Sequence, residues 1–197
     1  MSRRVVVAIT GASGAALGAR IVEILAANAD YETHLVVTAA GERTLAHEVG
    51  EDALARLRGI AFHTHDVADI GAPLASGSFR SEAMIVAPCS IRTLSAVASC
   101  NATDLVARAA DVHLKERRRL VLLVREAPLH LGHLRAMTAA TEYGAIVLPP
   151  VPSFYNRPQD IADLVDDIAR RAIATALPDF PAGIAEWSGG DSPRRAR

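Results

Sequence analysis

Lysine is nearly missing from this chain: Lys115 stands alone against 20 arginines, so the primary amines are that one side chain and the N-terminus. Aromatic residues are scarce as well, with four Phe, three Tyr and one Trp, too few for the stacking platforms that bind single-stranded nucleic acid. Charge of one sign is not in excess: 21 Lys plus Arg face 22 Asp plus Glu, for a formal net charge of -1. That balance excludes a strongly basic nucleic-acid binder. The two cysteines, Cys89 and Cys100, make neither a disulfide framework nor a zinc site. No apolar run approaches the ~20 residues that cross a bilayer. Arg3 and Arg4 followed by VVVAIT superficially resemble a secretory signal, but the run Val5 to Ile9 is broken at Gly11 and helical periodicity (Leu17, Ile21, Ile24, Leu25) continues beyond it. The expectation is a soluble, cytoplasmic protein.

What is present, in 197 residues of 50% hydrophobic content, is enough for one domain. Val5 to Thr10, Thr33 to Val37, Ala83 to Ala87, Leu120 to Val124 and Ala145 to Leu148 are short apolar runs without polar alternation, the pattern of strands covered on both faces. Between and after them lie stretches of helical period: Ala15 to Asn28, Gly41 to Arg58, Ser90 to Cys100, Asp104 to Arg118, His130 to Tyr143 and Gln159 to Leu177. Their alternation predicts an α/β fold, a doubly wound parallel sheet with helices on both faces, spanning residues 1–187. Residues 188–197 read as a flexible tail. In such sheets ligands bind beyond the carboxyl ends of the strands, so the strand-to-helix loops are where function belongs.

Thr10-Gly11-Ala12-Ser13-Gly14 joins the first strand to the first helix. Free amides and the helix dipole favour an anion there, or the segment is a tight turn capped by Ser13. A nicotinamide dinucleotide fits poorly: the spacing is not G-x-G-x-x-G, and the second strand ends in Val36-Val37-Thr38-Ala39 with no acid for a ribose. A Tyr-x-x-x-Lys pair is excluded too, since position 111 is Asp. A mononucleotide phosphate, such as that of FMN, meets the loop without those requirements. Ser90, Ile91, Arg92 and Thr93 follow a buried strand and open a helix, an ordinary cap or a second anion-facing turn; the neighbouring Cys89 reads as a small hydrophobe.

Asp104, Arg108, Asp111 and Lys115 share one helix face, either a solvated salt-bridged stripe or two cations held by aspartates toward a phosphate. Arg125 and Glu126 follow a strand end, as a loop ion pair or with Glu126 as a general acid or base. The stretch from Pro149 to Asn156 is stiffened by prolines, either to fix Phe154 and Tyr155 at a pocket rim or as simple loop packing. In the last helix Ile161, Leu164, Val165, Ile168 and Ala172 form a core-facing stripe. Arg170 falls opposite that stripe, as a surface charge. Arg171 falls at its edge, snorkelling or aimed at an anion.

Six segments in order, TGASGA at Thr10, ASGS at Ala75, APCSIRTLSAVA at Ala87, RAADVHLKERRRLVLLVREAPL at Arg108, GAIVLPPVPSFYNRP at Gly144 and DLVDDIARR, resemble the flavin prenyltransferases, the UbiX family, over nearly the whole chain. The resemblance implies a Rossmann-like flavoprotein that joins a dimethylallyl group from dimethylallyl monophosphate to N5 and C6 of reduced FMN without a metal. Its product, prenylated FMN, serves UbiD-type decarboxylases. On the matching motifs Gly11, Ala12, Ser13, Thr38, Ser90, Ile91, Arg92, Thr93 and Arg125 hold FMN. Arg108, Lys115, Tyr155, Arg171 and Trp187 surround the prenyl donor, and Ser13, Glu126, Lys115 and Arg108 are the catalytic set. A homododecamer with sites at subunit boundaries is also implied.

Two departures from the family pattern stand out. Thr38-Ala39 replaces the common Ser-Lys, keeping a hydroxyl and losing a cation, and Cys100 stands where glycine is common at a helix end. The competing readings are an FMN carrier or partner subunit of a decarboxylase, and a flavoprotein cysteine decarboxylase of the same fold, although the Asn-x-x-Met-Trp-type substrate motif of the latter is absent.

Overall fold

Val5 to Ile9 is completely buried, because the strand that carries it, β1 (Arg3–Ile9), is covered on both faces. The computed structural model describes residues 3–184; Trp187 and the expected tail at 188–197 lie outside them. After β1 the chain runs through α1 (Ala15–Ala26), β2 (Tyr31–Val37), α2 (Ala39–Glu48), α3 (Ala53–Ile60), β3 (His63–His65), β4 (Ala83–Cys89), α4 (Ile91–Ala98), α5 (Leu105–Lys115), β5 (Arg119–Val124), α6 (Leu131–Glu142), β6 (Ile146–Val147) and α7 (Ile161–Ala176). The strands form one sheet in the order β3-β2-β1-β4-β5-β6, and every pairing is parallel.

Alternate residues of each strand feed two separate cores. Val5, Val7, Ile9, Leu35, Ile85 and Leu123 pack with Ile21 and Leu25 of α1 and Ile173 of α7. On the other face Val6, Ala8, Val86, Leu120 and Leu122 pack with Leu94 of α4 and Leu105 and Val106 of α5. Burial of this apolar surface is the main stabilising contribution, and the parallel, doubly covered sheet follows from the uniformly apolar strands. The strand order reverses direction between β1 and β4, the switch point at which such sheets open a crevice beyond their carboxyl ends.

Three expectations need correction. The 41–58 stretch is two helices, not one: Gly50 takes φ +139°, a conformation open to glycine and closed to a continuing helix. A sixth strand, β3, pairs with β2 through His34 with His63 and Val36 with His65; being His-Thr-His, it has no apolar signature to read. The stripe on α7 holds for Val165, Ile168 and Ala172, which pack on the core, and fails at its start, where Ile161 is 78% exposed.

Candidate active site

Thr10 ties the two loops of the switch point together. Its hydroxyl donates to the Pro88 carbonyl at 2.7 Å and accepts from the Ser90 amide at 2.9 Å, and its own amide donates to the same Pro88 oxygen at 3.3 Å. The side chain is 1% exposed, so these bonds are made out of competition with water. The loop after β5 is brought alongside by the Arg125 amide, which donates to the Cys89 carbonyl at 3.1 Å. Cis X–Pro peptides lie at Ala87-Pro88, near the end of β4, and at Ala127-Pro128, in the loop after β5. Gly11 is glycine for contact reasons: a Cβ there would overlap the Cβ of Ala40 at the start of α2. Gly11, Ala12, Ser13, Thr38, the stretch Ser90 to Thr93, Arg125 and Glu126 thereby share one edge of the sheet.

The helix ends decide where an anion can sit. Ser90 caps α4, accepting from the Thr93 amide at 3.3 Å, with its hydroxyl 3.1 Å from that of Thr93. Leu94 donates to the Ser90 carbonyl at 2.9 Å. The amides of Ile91 and Arg92 are then the ones helix geometry leaves without an intrahelical acceptor. The start of α1 is different, because two of its amides are already taken. Both oxygens of Glu48 accept from the Gly14 amide, at 2.9 and 3.1 Å, and one also accepts from the Ala15 amide at 2.7 Å. The anion at α1 is the protein's own carboxylate. Gly14, in the left-handed region at φ +104°, is the cap residue, with no side-chain cap bond, so Ser13 does not cap the helix. Ser13 is exposed at the crevice. Thr38 caps α2, its hydroxyl oxygen accepting from the Gly41 amide at 3.1 Å.

Glu126 is exposed, one carboxylate oxygen accepting from the following Ala127 amide at 3.0 Å. Cys89, at the end of β4, is fully buried, and burial pushes its thiol up to about 12, which keeps it neutral.

Arg108 and Lys115 lie elsewhere. Arg108 is held at 2.7 Å by Asp111 and donates through Nε to the Ala75 carbonyl at 3.2 Å. Lys115 pairs with Glu116 rather than with Asp111, and Asp104 caps α5 by accepting from Ala107 at 2.9 Å. Lys115 ends α5, four residues before Arg119 opens β5 opposite Ala83, the first residue of β4. It sits at the amino edge of the sheet, whereas Glu126 lies past the carboxyl end of β5. At about 3.3 Å per residue the strand between them spans roughly 17 Å. Within one protomer the expected catalytic set is not brought together.

Tyr155 lies in a short 3-10 turn, Phe154–Asn156, after β6 and is exposed, as is Arg171 on α7. Arg170 is not the solvated charge expected. Its guanidinium is half-buried and donates to Asp166 at 2.7 Å and to the Ala182 carbonyl at 3.0 Å, holding the segment after α7. A surface cavity of about 300 Å³, lined by Glu42, Arg43, Glu51 and Leu54 among others, lies over α2 and α3 and belongs to neither group of residues.

The flavoprotein family model matches residues 1–172. Flavin prenyltransferase UbiX of Thauera aromatica is 49% identical over 98% of this chain and 98% of its own. The chain belongs to the flavin prenyltransferase family. Among solved structures, AnUbiX (PadA1) in complex with FMN and dimethylallyl pyrophosphate superposes with a TM-score of 0.90 at 43% identity, covering 97% of this chain and all of that one. A dodecameric FMN-dependent UbiX-like decarboxylase from Escherichia coli O157:H7 gives 0.89 at 38% identity, over 94% of this chain and all of its own.

In this flavin prenyltransferase the sequence motifs pick out loops that the structure gathers at the carboxyl edge of the sheet, and they miss two residues that tie those loops down. Thr10 is the first letter of TGASGA, and the signal that could have singled it out is its place at a strand end where its hydroxyl has no water to bond. Glu48 left no signal, because its partners lie 33 and 34 residues away.

Proposed function

We propose that the protein joins the dimethylallyl group of dimethylallyl monophosphate to N5 and C6 of reduced FMN, releasing phosphate, with no metal ion called for. The observation that carries this reading is the Thr10 clasp, which locks the TGASG and APCSIRT loops into one cradle at the switch point of a chain of this family. The residues present fit a flavin mononucleotide. The phosphate belongs at the start of α4, where the Ile91 and Arg92 amides and the Ser90 and Thr93 hydroxyls lie together and Arg92 adds a positive charge, since Glu48 fills the start of α1. Gly11 and Ala12 give the ring system a side of backbone and small atoms, and Thr38 and Arg125 border it.

Reduced FMN, when bound, supplies the nucleophilic N5 and C6 positions. Ser13 and Glu126 stand at the crevice to take the proton lost from C6 and pass it toward the departing phosphate. Arg108, Lys115 and Arg171 stabilise the charge that grows on that phosphate as the C–O bond breaks, with Tyr155 beside them. Because Lys115 and Glu126 are separated by the length of β5, each site takes its cations from another copy of the chain, in a homo-oligomer of the dodecameric kind its relative forms. The exposed Ile161, Phe154, Tyr155, Leu131 and Leu134 are the apolar surface such contacts would cover. The product, prenylated FMN, passes to a UbiD-type decarboxylase in the cytoplasm.

The test is an anaerobic incubation of the protein with reduced FMN and dimethylallyl monophosphate, followed by mass spectrometry of the extracted flavin. A C5H8 increment is expected. Unmodified FMN with both the monophosphate and the pyrophosphate would point to a carrier instead, and decarboxylation of an aromatic acid by the protein alone would contradict the proposed division of labour.

A further inference from the structure

Residues 75–81, the ASGSFRS segment, pack along α5 and touch both of its functional cations. The Ala75 carbonyl accepts from Arg108 Nε at 3.2 Å, and a Cβ added at Gly77 would come within 2.8 Å of Lys115 Nζ and would overlap the Glu116 carboxylate. What fixes this segment is a buried network rather than its own chain. His113, 1% exposed, donates from Nδ1 to the Ala109 carbonyl at 2.7 Å, which leaves Nε2 to accept from the Ser81 hydroxyl at 2.9 Å. Arg118 donates to the Gly77 and Phe79 carbonyls at 2.6 and 2.7 Å and reaches the Ser81 oxygen at 3.4 Å. His113 lies on the helix that bears Arg108 and Lys115, and Arg118 directly follows the turn that ends it, so the segment held through Ser81 and the cations are referenced to one rigid frame.

We infer that His113, Ser81 and Arg118 are positioning residues for the prenyl-donor phosphate: they clamp residues 75–81 against α5, and that segment sets the direction in which Lys115 and Arg108 are presented. Gly77 is part of the device. It lacks a side chain because any Cβ would push the Lys115–Glu116 pair aside, and the atoms it would displace are the mobile ends of two long side chains, so a substitution there disturbs the cations without blocking folding. The inference rests on the proposed prenyl transfer for its phosphate, but not for its geometry.

The single lysine makes the geometry directly readable. In protein grown on lysine labelled with 13C at Cε, Lys115 contributes the only labelled side-chain signal. Gly77→Ala and Ser81→Ala are expected to displace that signal in the resting protein, to raise the KM for dimethylallyl monophosphate by about tenfold or more, and to leave FMN affinity within about twofold. Ser81→Thr, which keeps the hydroxyl, should return both readouts toward wild type. An unmoved Lys115 signal with unchanged donor KM in both alanine variants overturns the inference, including the case in which Ser81→Ala merely lowers the melting temperature. A wild-type protein that transfers no prenyl group overturns the proposed function instead, and the Lys115 signal, read without donor, still decides whether the segment controls the lysine.

Discussion

Thr10 ties the crevice together with one hydroxyl, which satisfies a carbonyl at the end of β4 and the amide of Ser90, 78 and 80 residues away. Replacing it by Val keeps the shape and strands the Ser90 amide without its acceptor, at a cost of about 1–3 kcal/mol. Thr10→Val should therefore lower the urea midpoint and weaken FMN at least about tenfold, read by flavin fluorescence; unchanged FMN affinity would show that the loops hold their places without it. Cys100 is the opposite case, a residue at odds with its backbone. It sits at φ +54° after α4, where the Asn101 amide reaches back to the Ala96 carbonyl at 2.9 Å, a helix ending that suits glycine. Cys100→Gly should stabilise the protein by about 0.5–1 kcal/mol after the added freedom of the unfolded chain is discounted, measured by urea denaturation.

Among the elements, α1 depends on a carboxylate brought from the end of α2. Removing it in Glu48→Ala should cost about 1 kcal/mol. It should also make the protein's melting temperature newly sensitive to sulfate, as an external anion takes the vacated helix start; equal sulfate dependence in both proteins would count against that role. The contrast with Ser13 shows how far the chain could be read in advance. Five strands and most helices were legible because a doubly covered parallel sheet demands uninterrupted apolar runs such as Val5 to Ile9, and helices demand periodicity. The sheet edges and helix breaks were not, because β3 is three polar residues held by pairing with β2, and the break between α2 and α3 lies in the φ of Gly50. The site was legible as a row of loops but not as a geometry. Spacing put Arg108 and Lys115 on one helix face correctly, yet it carries no information on which edge of the sheet that face reaches.

For the molecule as a whole, the separation of Lys115 from Glu126 predicts complementation. Lys115→Ala and Glu126→Gln should each lose turnover. When the two are dissociated and reassembled in equal amounts, about a quarter of the sites should regain both native residues if each site draws on two copies. Recovery of none, in prenyl-transfer assays of the mixed assembly, would mean that one chain holds a complete site.

Acid should loosen the fold through its buried histidines. Burial pushes His34, His65 and His113 down to about 4, so the unfolded chain, with imidazoles near their ordinary ~6.5, takes up protons first. Their contribution is complete above pH 6.5 or so and is lost as the pH falls toward about 4, on the order of 1–3 kcal/mol for the fully buried His113. A calorimetric melting temperature that stayed flat across that window would contradict their neutral burial.

The two outermost strands have a consequence for how copies can meet. β3 has three residues and β6 only two, so neither border offers a row of amides and carbonyls long enough to template a strand from a neighbouring molecule. Growth by sheet extension, the open-ended route to fibres, is closed off. Association must proceed through helix and loop faces, whose fixed angles can come back on themselves and end in a finite particle.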